Sequence, residues 1–457
     1  MWIKSLVLAC LALLALPVAA AQADTGAPVV ATPEVSGPVA AGQPGDPSRD
    51  YPFDASLVPV APFGYTESEY LFSGTNSVGP YTSRMLVRRP ADPRRFSGRV
   101  IVEWANVSNH LDADLLWIQS AEHIMRSGDA YVLVSAQTDG VYAPETGLKA
   151  WNPQRYAPLS LPQVGSFVSE PGSYEIFGQA LRAIRSPVGT APLGDVTVRQ
   201  LIATGASQSA ATMTTYAQND ASLYGGVDGY LIWELSSATL GGSPATSASI
   251  HSPTGAGGPP VLWINTETDL ARKRTTPDGP TYRLWEVAGA THVNERAAQW
   301  GFAIQRRDFG VDAKPPVCKY RPYSRIPTGE ALDAGLEALR TWVTDGRPPT
   351  KQPPLRYDKN GNPVRDAYGN ALGGVRLPEQ GVATAQSNRE NSGRDPDCAP
   401  LAGRSVPFPA AVLHKLYPTH TDYVARFKRA AAGAVRAGVL LPEDARQSIR
   451  DAERSEA

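Results

Sequence analysis

The sequence predicts an α/β fold, a mostly parallel central sheet with helices on both faces, plus lid-like insertions and a C-terminal extension. Two observations carry this expectation. Short apolar, β-branched runs alternate with segments of helical period from residue 98 to residue 345, and Gly and Pro punctuate the connections between them. Two strands come first, at residues 65–72 and 80–89. Residues 98–104 then read as a strand, 113–127 as a helix with Leu115, Leu116, Ile118, Ala121 and Ile124 on one face, and 130–135 as a buried strand, which together make a βαβ unit. The spacing next predicts a helix over 174–184, a strand over 198–204 and a helix over 208–218. Strands follow at 229–235, 261–265 and 282–287, then a helix at 329–345.

Two segments break the rhythm. Residues 139–172, rich in Pro, Tyr and Trp, are longer than an ordinary connection, and residues 236–260 are rich in Ser, Gly, Pro and Thr, so both are expected to cover a site. At the N-terminus, Lys4 precedes an apolar run over 6–16, followed by Pro17 and small residues to Ala23; residues 1–23 therefore have the layout of a secretory signal peptide. That run is shorter than the roughly 20 residues a membrane span needs, and no other segment is long enough, so an exported protein with no membrane span is expected, periplasmic or secreted. Acylation at Cys10 is the alternative, and the apolar stretch running past that residue argues against it. Loss of the leader leaves Cys318 and Cys398 in an oxidising compartment, where a disulfide is expected. Residues 24–50 read as an extended arm, 51–345 as the catalytic domain and 346–457 as an extension packed on it, with helices at 425–437 and 442–452.

Charge narrows the function. With 43 basic against 44 acidic side chains and a net charge of −1, the chain lacks the basic excess by which counterion release binds polyanions, so nucleic acid is not expected as a partner. No GxGxxG, P-loop or paired CxxC occurs, and nothing calls for a cofactor or a metal. Asp358-Lys359-Asn360-Gly361-Asn362 has its Gly in the wrong place for a calcium loop and reads as a tight hairpin turn.

The chemistry gathers at strand ends. Residues 198–204 run into Gly205-Ala206-Ser207-Gln208-Ser209 and then a helix, the strand–elbow–helix context that presents a nucleophilic serine. Small residues two positions either side allow the helix to approach the strands; Gly205 supplies one, and Ser209 stands where a second Gly is usual. The strand at 261–265 leads into Glu267 and Asp269, and the strand at 282–287 leads into His292. Nucleophile, acid and histidine thus follow the chain order of the α/β-hydrolases, with Asp269 preferred to Glu267 by its distance past the strand. In that reading Ser207 attacks an acyl carbon, His292 moves the proton and Asp269 orients the imidazole. The oxyanion would be held by the backbone N–H of Gln208 and that of Asn106, although an Asn in that loop is as readily a turn former. Trp104, Trp151, Tyr156 and Trp233 are candidates for an aromatic substrate pocket, with core packing as the competing role.

VIVEWANVS, LKAWNPQRY, YEIFGQA, ATGASQSA, TETD, WEVAGATH and DAYGNALGGVRLP together resemble a family of bacterial exported alpha/beta hydrolase domain-containing proteins, from about residue 37 to about residue 441. The resemblance implies an α/β-hydrolase fold with Ser207, Asp269 and His292 as its triad. The family's elbow commonly reads Gly-Glu-Ser-Gln-Ser-Ala; here Ala206 replaces the Glu, which removes any substrate preference that rests on that carboxylate. The expectation is an exported serine hydrolase acting on a small-molecule or polymeric carboxylic ester. A peptidase, amidase or lactonase on the same triad is the alternative chemistry, and a binding protein on a hydrolase scaffold the alternative class.

Overall fold

The computed structural model describes residues 31–162, 170–219, 226–235, 258–269, 277–312, 317–395, 398 and 401–456. The expected signal peptide and most of the 236–260 insertion lie outside the described residues. The N-terminal half holds strands β1 (Glu34–Ser36), β2 (Tyr65–Thr75), β3 (Pro80–Pro90), β4 (Arg99–Trp104) and β5 (Ala130–Val134), with helix α1 (Leu115–Arg126) between the last two. Helices α2 (Thr138–Tyr142), α3 (Leu148–Trp151) and α4 (Pro171–Arg185) precede β6 (Val188–Gly189), β7 (Gln200–Ala206), α5 (Gln208–Asn219), β8 (Gly229–Trp233), β9 (Val261–Thr266) and β10 (Tyr282–Val287). Helices α6 (Glu295–Phe309) and α7 (Thr328–Asp345) complete the body.

The sheet order is β10-β9-β8-β7-β4-β5-β3-β2-β1-β6. From β10 to β5 every neighbour is parallel, whereas β3, β2 and β1 join antiparallel at the other side. Because strand side chains alternate, the central strands feed two separate cores. Val100, Val102, Leu201 and Ala203 pack with Phe177 of α4 and Met213 of α5. Ile101, Ile202, Leu231 and Leu262 pack on the opposite face with Leu116 of α1 and Leu336 and Leu339 of α7. Each buried Val, Leu, Ile, Phe or Met side chain among these contributes about 1.5–3 kcal/mol. Glu103 of β4 points into the α1 face, where both carboxyl oxygens accept the Leu116 N–H at 3.0 and 3.1 Å, tying the start of α1 to the sheet.

The described part of the N-terminal arm, residues 31–50, contributes β1, paired with β2 through Val35 and Phe72; the Val39 N–H also bonds the Glu69 carbonyl at 2.8 Å. The described part of the 139–172 segment corrects the expectation of a lid. Leu148, Trp151, Tyr156, Leu159 and Leu161 are all buried in the first core. Trp151 meets Tyr51 and Phe53 edge-on, each with ring centroids 5.2 Å apart, so this segment joins arm to body.

Helix α6 escapes the sequence pattern because only Ala298, Ile304 and Asp308 of its side chains are buried. Its start is set by Asn294, whose side chain accepts the Ala297 N–H at 2.9 Å. The extension adds α8 (Pro378–Gly381), an antiparallel pair β11 (Ala385–Asn388) and β12 (Arg404–Pro407), then α9 (Ala410–Leu416), α10 (His420–Ala437) and α11 (Pro442–Arg454). It docks beside β10, where the Val375 N–H bonds the Glu286 carbonyl at 2.7 Å and the Ala288 N–H bonds the Val375 carbonyl at 2.9 Å. Cys318 and Cys398 are joined by a disulfide with Cα atoms 5.4 Å apart. The hairpin turn expected at Asp358 is present: its carboxylate accepts the Asn360 and Asn362 N–H groups at 2.8 and 2.9 Å. Among the described residues no helix is long and apolar enough to cross a membrane.

Candidate active site

Ser207 sits between β7 and α5 with φ of 56°, a left-handed conformation that a residue with a side chain adopts at a cost of about 1–3 kcal/mol. The fold holds it there from three directions. The Ser207 N–H donates to the Trp233 carbonyl of β8 at 3.2 Å, and the Ser207 carbonyl accepts the Ala210 N–H at 3.1 Å in the first turn of α5. A Cβ at Gly205 would stand 2.4 Å from the Ser209 carbonyl oxygen, so only glycine permits this closeness of strand and helix. Ser209 does more than replace a second glycine: its hydroxyl accepts the Ala206 N–H at 3.0 Å and donates to the Ala206 carbonyl at 2.8 Å. The side chain ties the elbow across itself.

The loops after β9 and β10 meet Ser207. His292 Nε2 lies 2.8 Å from Ser207 Oγ, and His292 Nδ1 lies 2.7 Å from Asp269 Oδ1. Asp269 is buried, and its second oxygen accepts the Thr266 hydroxyl at 2.5 Å and the Thr266 N–H at 3.3 Å. Thr268 accepts the backbone N–H of His292 at 2.7 Å, so the acid loop also fixes the main chain of the histidine. Burial disfavours the imidazolium, but the charge of Asp269 and its hydrogen bond outweigh that, with Glu234 adding to them, and push His292 up to about 9.

Glu267 is excluded from the chain of three. Its Oε1 accepts the Gly289 N–H at 2.7 Å and its Oε2 meets Arg365 at 3.2 Å and the Arg389 N–H at 3.4 Å, so it anchors the extension instead. Burial raises its carboxyl above the usual range, with Arg365 opposing.

The oxyanion expectation needs one correction. Gln208 opens α5, where helix geometry makes backbone N–H groups and the positive end of the dipole face an incoming anion. The Asn106 N–H, however, already donates to the Ala113 carbonyl at 3.0 Å, while its side chain donates to the Ala206 carbonyl at 2.9 Å. The next amide, Val107, reaches only the Gln208 side-chain oxygen, at 3.3 Å. The amide expected at Asn106 is thus already engaged, and in the same loop it is Val107 whose N–H lies against the Gln208 side chain.

The aromatic pocket expectation is also corrected. Trp104, Trp151, Tyr156 and Trp233 are each no more than 2% exposed and belong to the cores. Trp104 stacks on Phe177 at 4.9 Å and donates to Gln137 at 3.0 Å, and Tyr156 donates to Glu69 at 2.9 Å. A cavity of about 540 Å³ lies away from Ser207, between α1 and α11, with His123, Arg126, Asp333 and Asp444 in its lining. Among the described residues no group of three or more His, Cys, Asp or Glu side chains could hold a metal ion.

Two features carried no expectation. Glu234 is buried just past the end of β8 with its backbone also left-handed at φ of 52°, and its charge interacts with those of His292 and Asp269; the expected strand over 229–235 placed it inside a strand, so the sequence carried no signal for it. The extension brackets His292: the Ala402 carbonyl accepts the Thr291 hydroxyl at 3.2 Å and the Leu401 carbonyl accepts the Val293 N–H at 3.0 Å.

The pattern of the alpha/beta hydrolase domain family matches residues 35–450. No curated protein matches the chain. Among solved structures, esterase Est22 is 10% identical over 45% of this chain and 66% of its own, with a TM-score of 0.29. XC6422 of Xanthomonas campestris, described as an a/b serine hydrolase without lid, is 11% identical over 54% of this chain and 96% of its own, with a TM-score of 0.30. A prolyl endopeptidase is 11% identical over 49% of this chain and 35% of its own, with a TM-score of 0.29.

Proposed function

This chain belongs to the alpha/beta hydrolase domain family, and from that premise we propose that it is a serine hydrolase cleaving a carboxylic ester through an acyl-enzyme. The supporting observation is the unbroken chain Ser207 Oγ, His292, Asp269, with contacts of 2.8 and 2.7 Å. Neutral His292 takes the proton as Ser207 attacks the ester carbonyl, and Asp269 stabilises the imidazolium that results. His292 then returns the proton to the departing alcohol. Water repeats the cycle on the acyl-enzyme and regenerates Ser207. The developing oxyanion is received by the Gln208 N–H and by the Val107 N–H, where substrate oxygen replaces the Gln208 side-chain oxygen.

The leader layout at residues 1–23 and the Cys318–Cys398 disulfide support action outside the cytoplasm, where such bonds persist.

The test is labelling by a fluorophosphonate probe, followed by turnover of p-nitrophenyl esters and matched anilides. The reading expects labelling of the folded protein, its loss in Ser207→Ala, and faster turnover of the esters. No labelling of the folded protein would favour a binding role, and faster anilides an amidase.

A further inference from the structure

Strand β9 ends at Thr266, and Glu267 to Asp269 make one tight turn that delivers the acid. Within that turn the side chains divide. Glu267 leaves for the extension, where it meets Arg365 at 3.2 Å, whereas the hydroxyls of Thr266 and Thr268 stay with the triad and stand 2.8 Å from one another. Thr266 Oγ1 reaches Asp269 Oδ2 at 2.5 Å, and Thr268 Oγ1 reaches the backbone nitrogen of His292 at 2.7 Å. With His292 Nδ1 2.7 Å from Asp269 Oδ1, these contacts close into a ring through Asp269, Thr266, Thr268 and His292.

The protons of this ring can run only one way. An ionised carboxylate accepts and cannot donate, so the Thr266 hydroxyl spends its single proton on Asp269. The bond between the two threonines must then be donated by Thr268, whose oxygen is left to accept the His292 N–H. Each hydroxyl gives one proton and receives one, and each donation makes its oxygen a better acceptor for the next. Thr266 is fully buried and Asp269 is 1% exposed, so bulk water has little access to compete. The Thr266 N–H adds a second bond to Asp269 Oδ2 at 3.3 Å, and the carboxylate cannot turn without breaking both.

Resting on the proposed triad, we infer that Thr266 and Thr268 are positioning residues whose hydroxyl relay sets the rotation of the Asp269 carboxylate and, through the same bonds, the place of the His292 main chain beside it. Rotation decides whether Oδ1 faces Nδ1. The place of the main chain decides whether one imidazole can reach both Asp269 Oδ1 and Ser207 Oγ, at 2.7 and 2.8 Å. A single relay governs both, because Thr268 ties the histidine loop to the threonine that orients the acid. Both hydroxyls act through Asp269 and His292 and take no part in bond making, so their loss falls on kcat more than on KM.

The experiment compares Thr266→Val, Thr268→Val, their double variant and the matching serine variants. It reads p-nitrophenyl acetate kinetics and, with the imidazole protonated, the NMR resonance of the proton between His292 Nδ1 and Asp269, which lies far downfield while that contact is short and moves upfield as it lengthens. Either valine variant is expected to move the resonance upfield and to lower kcat by about tenfold, less than the roughly hundredfold of a full 1 Å displacement, with KM little changed. Serine at either position restores the hydroxyl and is expected to recover most of what valine loses. Because either valine opens the same ring, the double variant is expected to lose less than the product of the two single losses. An unmoved resonance in the folded valine variants overturns the inference. So does a downfield shift, which would mean that the hydroxyls only weaken Asp269 as an acceptor, and so do fully multiplicative losses. Should Thr266→Val fail to fold, Thr268→Val interrupts the same relay at a partly exposed position and carries the test alone. The NMR readout needs no turnover, so it separates failure of this inference from failure of the hydrolase reading, which absence of probe labelling would reveal.

Discussion

The Leu401 carbonyl accepts the backbone N–H of Val293 at 3.0 Å, so the residue after His292 is held by the C-terminal extension. Ala402 holds Thr291 on the other side, and Cys398, upstream of both, is bonded to Cys318. The disulfide spans 80 residues, which in the loop-closure description corresponds to about 4–5 kcal/mol taken from the unfolded state. Replacing both cysteines by serine is expected to lower the denaturation midpoint substantially. It is also expected to lower kcat more than it alters KM, because His292 loses a fixed neighbour. Urea unfolding and ester kinetics on the oxidised and double-serine forms check both; an unchanged kcat would detach the extension from the site.

The protonation of His292 sets the pH dependence. Asp269 holds the imidazole up to about 9, and the imidazolium cannot accept the Ser207 proton. Activity should therefore be lost on the acid side and rise as pH increases through that midpoint. Below that midpoint the neutral imidazole is the minor form, so kcat/KM at pH 7 is expected well below its alkaline plateau. A kcat/KM profile already flat at pH 7 would contradict this.

The reach of the sequence follows from what each pattern encodes. Strands β4, β5, β7, β8, β9 and β10 are buried on both faces, so their apolar runs stand out, and the residues just past the ends of three of them, Ser207, Asp269 and His292, come into view with them. Helix α6 has too few buried side chains to leave a period, and β1 is too short. The choice between Asn106 and Val107 depends on the direction of single N–H groups, which residue identity does not carry. Trp151 and Tyr156 look like pocket residues in sequence because a long insertion carries them, yet the described part of that insertion folds into the core and takes them with it.

Glu267 and Asp269 separate cleanly by mutation. Glu267→Gln leaves the Ser207–His292–Asp269 chain intact, and Arg365 keeps Glu390 at 3.0 Å. The expected result is near-normal kcat with a stability loss of about 1–3 kcal/mol, the usual cost of breaking a buried charged hydrogen bond. Chemical denaturation with parallel kinetics checks this. A collapse of kcat in a folded Glu267→Gln protein would restore Glu267 as the acid.

The elbow predicts an order of effects. In Ser209→Ala the Ala206 N–H, buried between β7 and α5, loses its acceptor at a cost of about 1–3 kcal/mol, but nothing is pushed aside. In Gly205→Ala the new methyl group stands 2.4 Å from the Ser209 backbone oxygen, and backbone cannot swing away as a side-chain tip can. The elbow must shift, and displacing Ser207 Oγ by about 1 Å is enough to lose on the order of a hundredfold in rate. Gly205→Ala is thus expected to damage kcat far more than Ser209→Ala, as measured by ester turnover and by the rate of fluorophosphonate labelling. Equal effects would mean that the hydroxyl tie, rather than the glycine gap, sets the position of Ser207.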